Sequence, residues 1–118
     1  VNFDGSTDPQ HSMARFLYQV ALDADAKAMI VSHLGDGNVH YSVWGKSQDP
    51  EVHDAITEAV EDETLKLGGS FSAEHGIGVS KLRSMARRKD PVSIAAMKAI
   101  KAALDPNNIM NPGKVLPE

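Results

Sequence analysis

The feature that most constrains the fold is an Asp36-Gly37 dipeptide between two runs that read as strands. Residues 28–31 form a short apolar run, and in residues 39–44 apolar and polar side chains alternate. Alternation with a period of two is typical of a strand with one buried and one polar face. Asp-Gly between two such runs favours a tight β-hairpin turn of type I′. The sequence therefore predicts two antiparallel strands joined by a two-residue turn.

Helical patterns lie on both sides of this hairpin. We predict helices from Pro9 to about Asp25, from Pro50 to about Leu67, over residues 81–89, and from Pro91 to the Asp105-Pro106 pair. A further short strand is expected at Ser70–Ser72. Four apolar positions of the last helix are expected to point inward: Ile94, Met97, Ile100 and Leu104. The order of elements indicates an α+β fold with helices over one face of a small sheet.

Composition narrows the class of protein. The 118 residues, 42% hydrophobic and 24% charged, suit one globular domain. We expect residues 1–8 to be a disordered or loop lead-in and residues 9–118 to be that domain. The absence of Cys excludes disulfides and thiolate zinc sites. A formal net charge of -4 argues against nucleic acid as a partner, and no apolar run is long enough to span a membrane.

Two histidines flank the hairpin turn symmetrically. With Asp36 and Gly37 as the turn residues, His33 faces His40 directly across the strands, on the face opposite Val39. Two imidazoles on one rigid hairpin supply half of a site for a divalent metal. The alternative is a pair of half-exposed histidines that hydrogen-bond to their neighbours.

A second candidate cluster lies in the glycine-rich stretch that follows Ala73. Glu74 is a carboxylate in an otherwise uncharged loop and could complete a His₂Glu metal site, or instead cap a turn and pair with Lys81. His75 directly after it suits a general base, although it could simply order the loop. Gly76 and Gly78 permit close backbone approach to a planar ligand or another chain.

Three ordered motifs resemble one known family. They are HLGDGNVH at His33–His40, SAEHGIGVSK at Ser72–Lys81, and IKAALDPNNIMNPGKVL at Ile100–Leu116. Together they resemble the C-terminal part of the FAD-linked oxidases of the vanillyl-alcohol-oxidase-like group, especially D-lactate dehydrogenases, the glycolate oxidase D-subunit and D-2-hydroxyglutarate dehydrogenases. The resemblance covers residues 25–116. It implies the second half of a ferredoxin-like α+β cap sheet, followed by an irregular C-terminal segment.

The resemblance also implies roles for the two candidate clusters. In metal-dependent members of this family the corresponding residues bind a divalent metal, commonly zinc, and those positions fall on His33, His40 and Glu74. The neighbouring His75 is then the base that takes the hydroxyl proton of the substrate, while hydride passes to the flavin. The expected substrate is a small D-2-hydroxy acid.

Further positions follow from the same resemblance. Asn111 of the N-P-G-K motif would contact the flavin ring, with Glu74 and Gly76 also at the cofactor, and Asn38 would lie near the substrate. The family holds FAD mainly through an N-terminal flavin domain. We therefore expect this chain to act with a flavin domain of the same or another chain, and with a partner that accepts electrons.

Taken alone, the chain is expected to be inactive and to associate with itself. Two alternatives stay open: a free-standing α+β module that binds a ligand or a partner, and a separate subunit that docks on a flavin subunit through the Gly76–Gly78 loop and the Asn111 tail. The expected location is cytoplasmic, with the mitochondrial matrix or the periphery of the inner membrane as alternatives.

Overall fold

A computed structural model describes residues 7–46 and 49–118. The elements, in chain order, are α1 (Thr7–Asp23), β1 (Lys27–His33), a 3-10 turn (Leu34–Asp36), β2 (Asn38–Trp44), α2 (Pro50–Lys66), α3 (Leu82–Arg88) and α4 (Pro91–Leu104). Helices and one antiparallel sheet confirm the predicted α+β class. Contacts divide the chain into two units, Val1–Ala73 and Glu74–Glu118.

The first unit is organised around a small apolar core. Met13 and Leu17 of α1 are fully buried against Val39 of β2. Four partly buried residues pack around this cluster: Phe16, Tyr41, Val60 and Leu67. The Tyr41 hydroxyl donates a hydrogen bond of 3.1 Å to the Leu17 carbonyl, which ties β2 to α1. Burial raises the pKa of Tyr41 above its ordinary value.

Helix α1 begins at Thr7, two residues before the predicted start at Pro9. Of the predicted lead-in, residues 1–6 lie outside the described residues, and the remaining two belong to the helix. The helix ends at Asp23 because Asp25 takes a left-handed conformation, with φ of 47°. The Ala26 N–H then donates to the Ala21 carbonyl at 2.9 Å. This hydrogen bond closes the C-terminal end of the helix.

The predicted two-residue turn of the hairpin is wrong. Residues 34–36 form a turn of 3-10 helix and Gly37 follows with φ of 68°, so four residues connect the strands. This longer connection changes the register: His33 pairs with Asn38, and Val31 pairs with His40. The strands themselves are confirmed, with Val39 and Tyr41 on the core face as the alternation predicted.

Helix α2 confirms its predicted start and end. The Asp49 carboxylate accepts from the Glu51 N–H at 2.9 Å, as an N-cap residue does. Gly68 stops the helix with φ of 76°, a backbone conformation that a side chain would strain. Glu61 of this helix is buried, although it lies in a run of acidic residues. The predicted strand at Ser70–Ser72 is wrong, since only Ser70 forms a bridge.

The second unit holds the short helix α3 and the longer α4. The Asp90 carboxylate caps α4 by accepting from the backbone N–H and the hydroxyl of Ser93, at 2.8 and 2.9 Å. The predicted inward face of α4 is wrong at its C-terminal end, where Ile100 and Leu104 are exposed. None of the fourteen residues of α4 is buried. No described helix has the length and apolar content needed to cross a membrane.

Candidate active-site residues

The two hairpin histidines share a face of the sheet but are not direct partners. Paired residues of antiparallel strands point to the same side, so His33 with Asn38, and Val31 with His40, all lie opposite the core residue Val39. His33 and His40 are therefore diagonal neighbours, typically about 7–8 Å apart between backbone positions. The prediction that both imidazoles lie on the face opposite Val39 is confirmed, and the prediction that they are directly opposite each other is wrong.

Asn38 opens β2 beside His33. Its side chain is buried, and its backbone carbonyl accepts a 3.0 Å hydrogen bond from the Ser32 hydroxyl. The Ser32 contact ties the two strands together at the point where the 3-10 turn enters the sheet. The first unit thus holds three predicted site residues, His33, Asn38 and His40, on one face of a single hairpin.

The loop after Ala73 carries the second group of predicted site residues. The Nε2 atom of His75 lies 3.9 Å from a carboxylate oxygen of Glu74, and both side chains are exposed. The loop thus places an imidazole and a carboxylate side by side at its exposed surface.

Gly76 and Gly78 give this loop its backbone path. Both adopt left-handed conformations, with φ of 66° and 56°. A Cβ built at either position meets no atom of the described chain within 4 Å. Glycine at these two positions is therefore explained by backbone conformation within the described chain, rather than by a lack of room.

The C-terminal turn after α4 is held by a carboxylate that sequence reasoning missed. Asp105 is buried, and its two oxygens accept from the N–H groups of Ile109 and Met110 at 3.0 and 2.9 Å and from the Lys101 ammonium. Lys101 also donates to the Met110 carbonyl at 2.8 Å. The bond from Lys101, followed by the two backbone bonds, lowers the pKa of Asp105. This cluster fixes the peptide units immediately before Asn111.

Asn111 lines a groove of about 720 Å³ in the second unit. Its backbone is left-handed, with φ of 48°. Apolar side chains from the end of α4 and from the tail form most of the wall, among them Ile100, Leu104 and Met110. A groove of this volume, apolar with a few polar groups, is of the size that binds small organic ligands.

The role of Asp105 in the C-terminal turn has one signal in the sequence. This carboxylate stands between the end of a predicted helix and Pro106.

Comparison with known proteins identifies the family. The model of the family "FAD linked oxidases, C-terminal domain" matches residues 3–115. A mitochondrial D-2-hydroxyglutarate dehydrogenase of Arabidopsis thaliana is 42% identical over 92 residues, which are 78% of this chain and 16% of the relative. A probable mitochondrial D-lactate dehydrogenase of Danio rerio is 41% identical over 91 residues, 74% of this chain and 18% of the relative.

A bacterial relative matches over a longer part of the chain. The glycolate oxidase subunit GlcD of Bacillus subtilis is 35% identical over 108 residues, which are 88% of this chain and 23% of that subunit. The chain thus spans less than a quarter of the length of these relatives. The family match covers nearly all of the chain and includes both candidate clusters and the C-terminal turn. The chain therefore belongs to the family of FAD-linked oxidase C-terminal domains.

Proposed function

We propose that this chain supplies the C-terminal part of the active site of an FAD-dependent oxidoreductase that oxidises a small D-2-hydroxy acid. The observation that carries the proposal is the family match over residues 3–115. The three relatives described above are named for 2-hydroxyglutarate, lactate and glycolate, which are all 2-hydroxy acids. The alcohol carbon of such an acid is the position from which hydride leaves.

In this proposal His33, His40 and Glu74 hold a divalent metal, with zinc as the first candidate. The donor set fits, because two imidazoles and one carboxylate are ligands that zinc accepts with positions left open. The hairpin supports it by holding both imidazoles on one face, away from the core. The metal, when bound, lowers the pKa of a coordinated hydroxyl group.

His75 acts as the base of the proposed reaction. Its imidazole accepts the hydroxyl proton of the substrate, and the carboxylate of Glu74 lies 3.9 Å from its Nε2 atom. Exposure of both side chains leaves them accessible to a substrate. Asn38, beside His33 on the hairpin, is proposed to lie near the substrate.

FAD is the proposed cofactor, and it supplies hydride acceptance. Asn111 is proposed to contact the flavin ring, supported by its place in a groove of ligand size. Glu74 and Gly76 are proposed to lie at the cofactor as well. The sequence contains no glycine-rich phosphate-binding motif between a strand and a helix. The pyrophosphate of FAD is therefore proposed to be held by a flavin domain of the same or another chain.

Calorimetric titration with zinc tests the metal site directly. The chain has no cysteine, so thiols cannot compete for the ion. We expect His33→Ala and His40→Ala each to weaken zinc binding at least about tenfold, since each removes one of three ligands. His53→Ala, which removes an exposed histidine from α2, is the matched control and should bind like the wild type. Equal binding by all four proteins would overturn the metal site.

The separate role of His75 has its own test. His75→Ala should keep the zinc affinity of the wild type, because His75 is proposed as a base and not as a ligand. Glu74→Gln should weaken binding, which separates these two adjacent residues. The chain mixed with FAD, a dye that accepts electrons, and D-lactate or D-2-hydroxyglutarate should show no turnover. Turnover by the chain alone would contradict the proposed need for a flavin domain.

A further inference from the structure

Two asparagines in the turn after α4 have left-handed backbone conformations. Asn108 has φ of 51°, and Asn111 has φ of 48°. Residues that carry a side chain adopt this conformation much less often than glycine does, although asparagine tolerates it better than most. A residue keeps such a conformation when the surrounding structure determines it. Other groups must therefore determine the backbone of this turn.

The side chain of Asp105 bonds to the segment after α4 and not to the end of the helix. The helix ends with the Asp105 N–H, which donates to the Lys101 carbonyl at 2.8 Å. The free groups at this end of a helix are carbonyls, so a carboxylate cannot cap them, and its charge is unfavourable beside the negative end of the helix dipole. Its oxygens accept instead from Ile109 and Met110. The position of Asp105 is therefore explained by the turn.

Lys101 bonds to the same peptide segment. Its ammonium donates to the Asp105 carboxylate and, at 2.8 Å, to the Met110 carbonyl. The N–H and the carbonyl of Met110 are thus both bonded, so the two peptide units that flank this residue are fixed. The second of these units contains the backbone nitrogen of Asn111. On its other side, the Asn111 carbonyl accepts from the Lys114 N–H at 3.3 Å.

The side chain of Asn111 differs from its backbone. It is exposed and lines the groove of the second unit. Within the described part of the chain, its amide makes no hydrogen bond. A polar group on a fixed backbone loses little conformational entropy when a ligand bonds to it. The turn thus presents an amide whose backbone is already ordered.

We propose that Asp105 and Lys101 are positioning residues that direct the Asn111 amide toward the flavin. The inference rests on the proposed function, in which Asn111 contacts the flavin ring. Asp105 acts through its hydrogen bonds to the backbone, so its carboxylate does not need to touch the cofactor. Only 4% of this side chain is exposed, which limits the competition of water for those bonds. The precision of a binding group depends on such supporting contacts.

Nuclear magnetic resonance of the chain without flavin tests the positioning. A positive φ brings the amide hydrogen and the Hα of a residue close together, so Asn111 should give a strong cross-peak between them in the wild type. Asp105→Asn and Lys101→Met should weaken this cross-peak, because the backbone then also samples negative φ. Asp90→Asn, the same change at the other end of α4, is the matched control and should keep it. An unchanged cross-peak in Asp105→Asn would overturn the inference.

The functional part is tested on the chain assembled with its flavin domain. Asn111→Ala should weaken FAD binding about fivefold, since one hydrogen bond to the ring is lost, and should shift the visible absorption maximum of the bound flavin. Asp105→Asn should shift this maximum in the same direction, and Asp90→Asn should leave it unchanged. The double variant Asp105→Asn with Asn111→Ala should bind FAD like Asn111→Ala alone, because Asp105 acts through Asn111.

The double variant separates a failure of this inference from a failure of the proposed function. If its loss of FAD affinity is the sum of the two single losses, Asp105 acts independently of Asn111, and the inference is overturned while the flavin contact stands. If Asn111→Ala keeps both the FAD affinity and the flavin spectrum of the wild type, the proposed flavin contact is wrong, and the functional part of the inference is overturned with it.

Discussion

The two units of the chain are stabilised in different ways. In the first unit Met13, Leu17 and Val39 form a buried apolar core shared by a helix and the sheet. Among the described residues of the second unit, Met85 is the one large apolar side chain that is buried, and α4 has no buried residue. Order there comes from polar groups at the ends of helices, above all from Asp90 and Asp105.

This difference indicates which substitutions should lower the stability of each unit. Removing apolar volume from the first unit leaves a cavity, because helix and strands are fixed against each other. Removing apolar volume from α4 removes atoms that already contact water. In the second unit the sensitive groups are instead the carboxylates that satisfy free N–H groups at helix ends and turns.

The largest effect is expected from Leu17→Ala. This side chain is fully buried in the core, so the substitution should lower the free energy of unfolding by about 3 kcal/mol. Leu104→Ala, the same change on the exposed face of α4, should alter it by no more than about 0.5 kcal/mol. Urea unfolding followed by circular dichroism measures both. Similar losses for the two variants would show that the second unit depends on apolar burial as much as the first.

The same contrast explains what the sequence could predict about the fold. The strands were predictable because the alternation of apolar and polar residues is visible within a few positions. The starts of α2 and α4 were predictable because an aspartate followed by proline caps a helix through local hydrogen bonds. The exposure of Leu104 was not predictable, because apolar periodicity shows which face of a helix is apolar and not whether another element covers that face. The buried Glu61 has the same origin, since its position in an acidic run gives no sign of what packs around it.

Prediction of the candidate site had a similar limit. The shared face of His33 and His40 followed from the alternation of side chains in a strand. Their register did not, because Asp36-Gly37 suggested a two-residue turn while the chain uses a 3-10 turn and Gly37. Asp105 escaped notice because its hydrogen bonds reach residues four and five positions later, in a segment without periodicity.

A smaller effect is expected where the sheet joins α1. Tyr41→Phe keeps the ring in the core and removes the hydrogen bond to the Leu17 carbonyl, which should lower the free energy of unfolding by about 1 kcal/mol. Because burial raises the pKa of Tyr41, the folded state holds this proton more tightly than the unfolded state. The stabilisation is complete below pH 10 and is lost as the pH rises through the folded pKa.

The pH dependence separates this prediction from simple loss of packing. Between pH 7 and pH 11, wild-type stability should fall more steeply than that of Tyr41→Phe, measured by thermal unfolding at each pH. Tyr18→Phe is the control, since Tyr18 is exposed on the same helix as Leu17 and should behave like the wild type. Parallel curves for wild type and Tyr41→Phe would mean that Tyr41 is not responsible for the alkaline loss.

The smallest and most local effect is expected from Asp105→Asn. The amide of asparagine has one acceptor oxygen where the carboxylate has two, and it carries no charge. One of the N–H groups of Ile109 and Met110 therefore loses its acceptor, and Lys101 loses its counter-charge. Their amide hydrogens should exchange several-fold faster by nuclear magnetic resonance, while the core around Leu17 stays protected. In the wild type the lowered pKa means that this contribution is complete above pH 3.8 and is lost as the pH falls through the folded pKa.

Asp90→Asn provides the comparison that makes this result specific. Asp90 caps the other end of α4, and hydrogen bonds from Ser93 lower its pKa too. Its substitution should loosen the first turn of α4 and leave the Ile109 and Met110 amides as protected as in the wild type. If both variants release the same amides, the C-terminal turn depends on α4 as a whole, and Asp105 has no special part in fixing the peptides before Asn111.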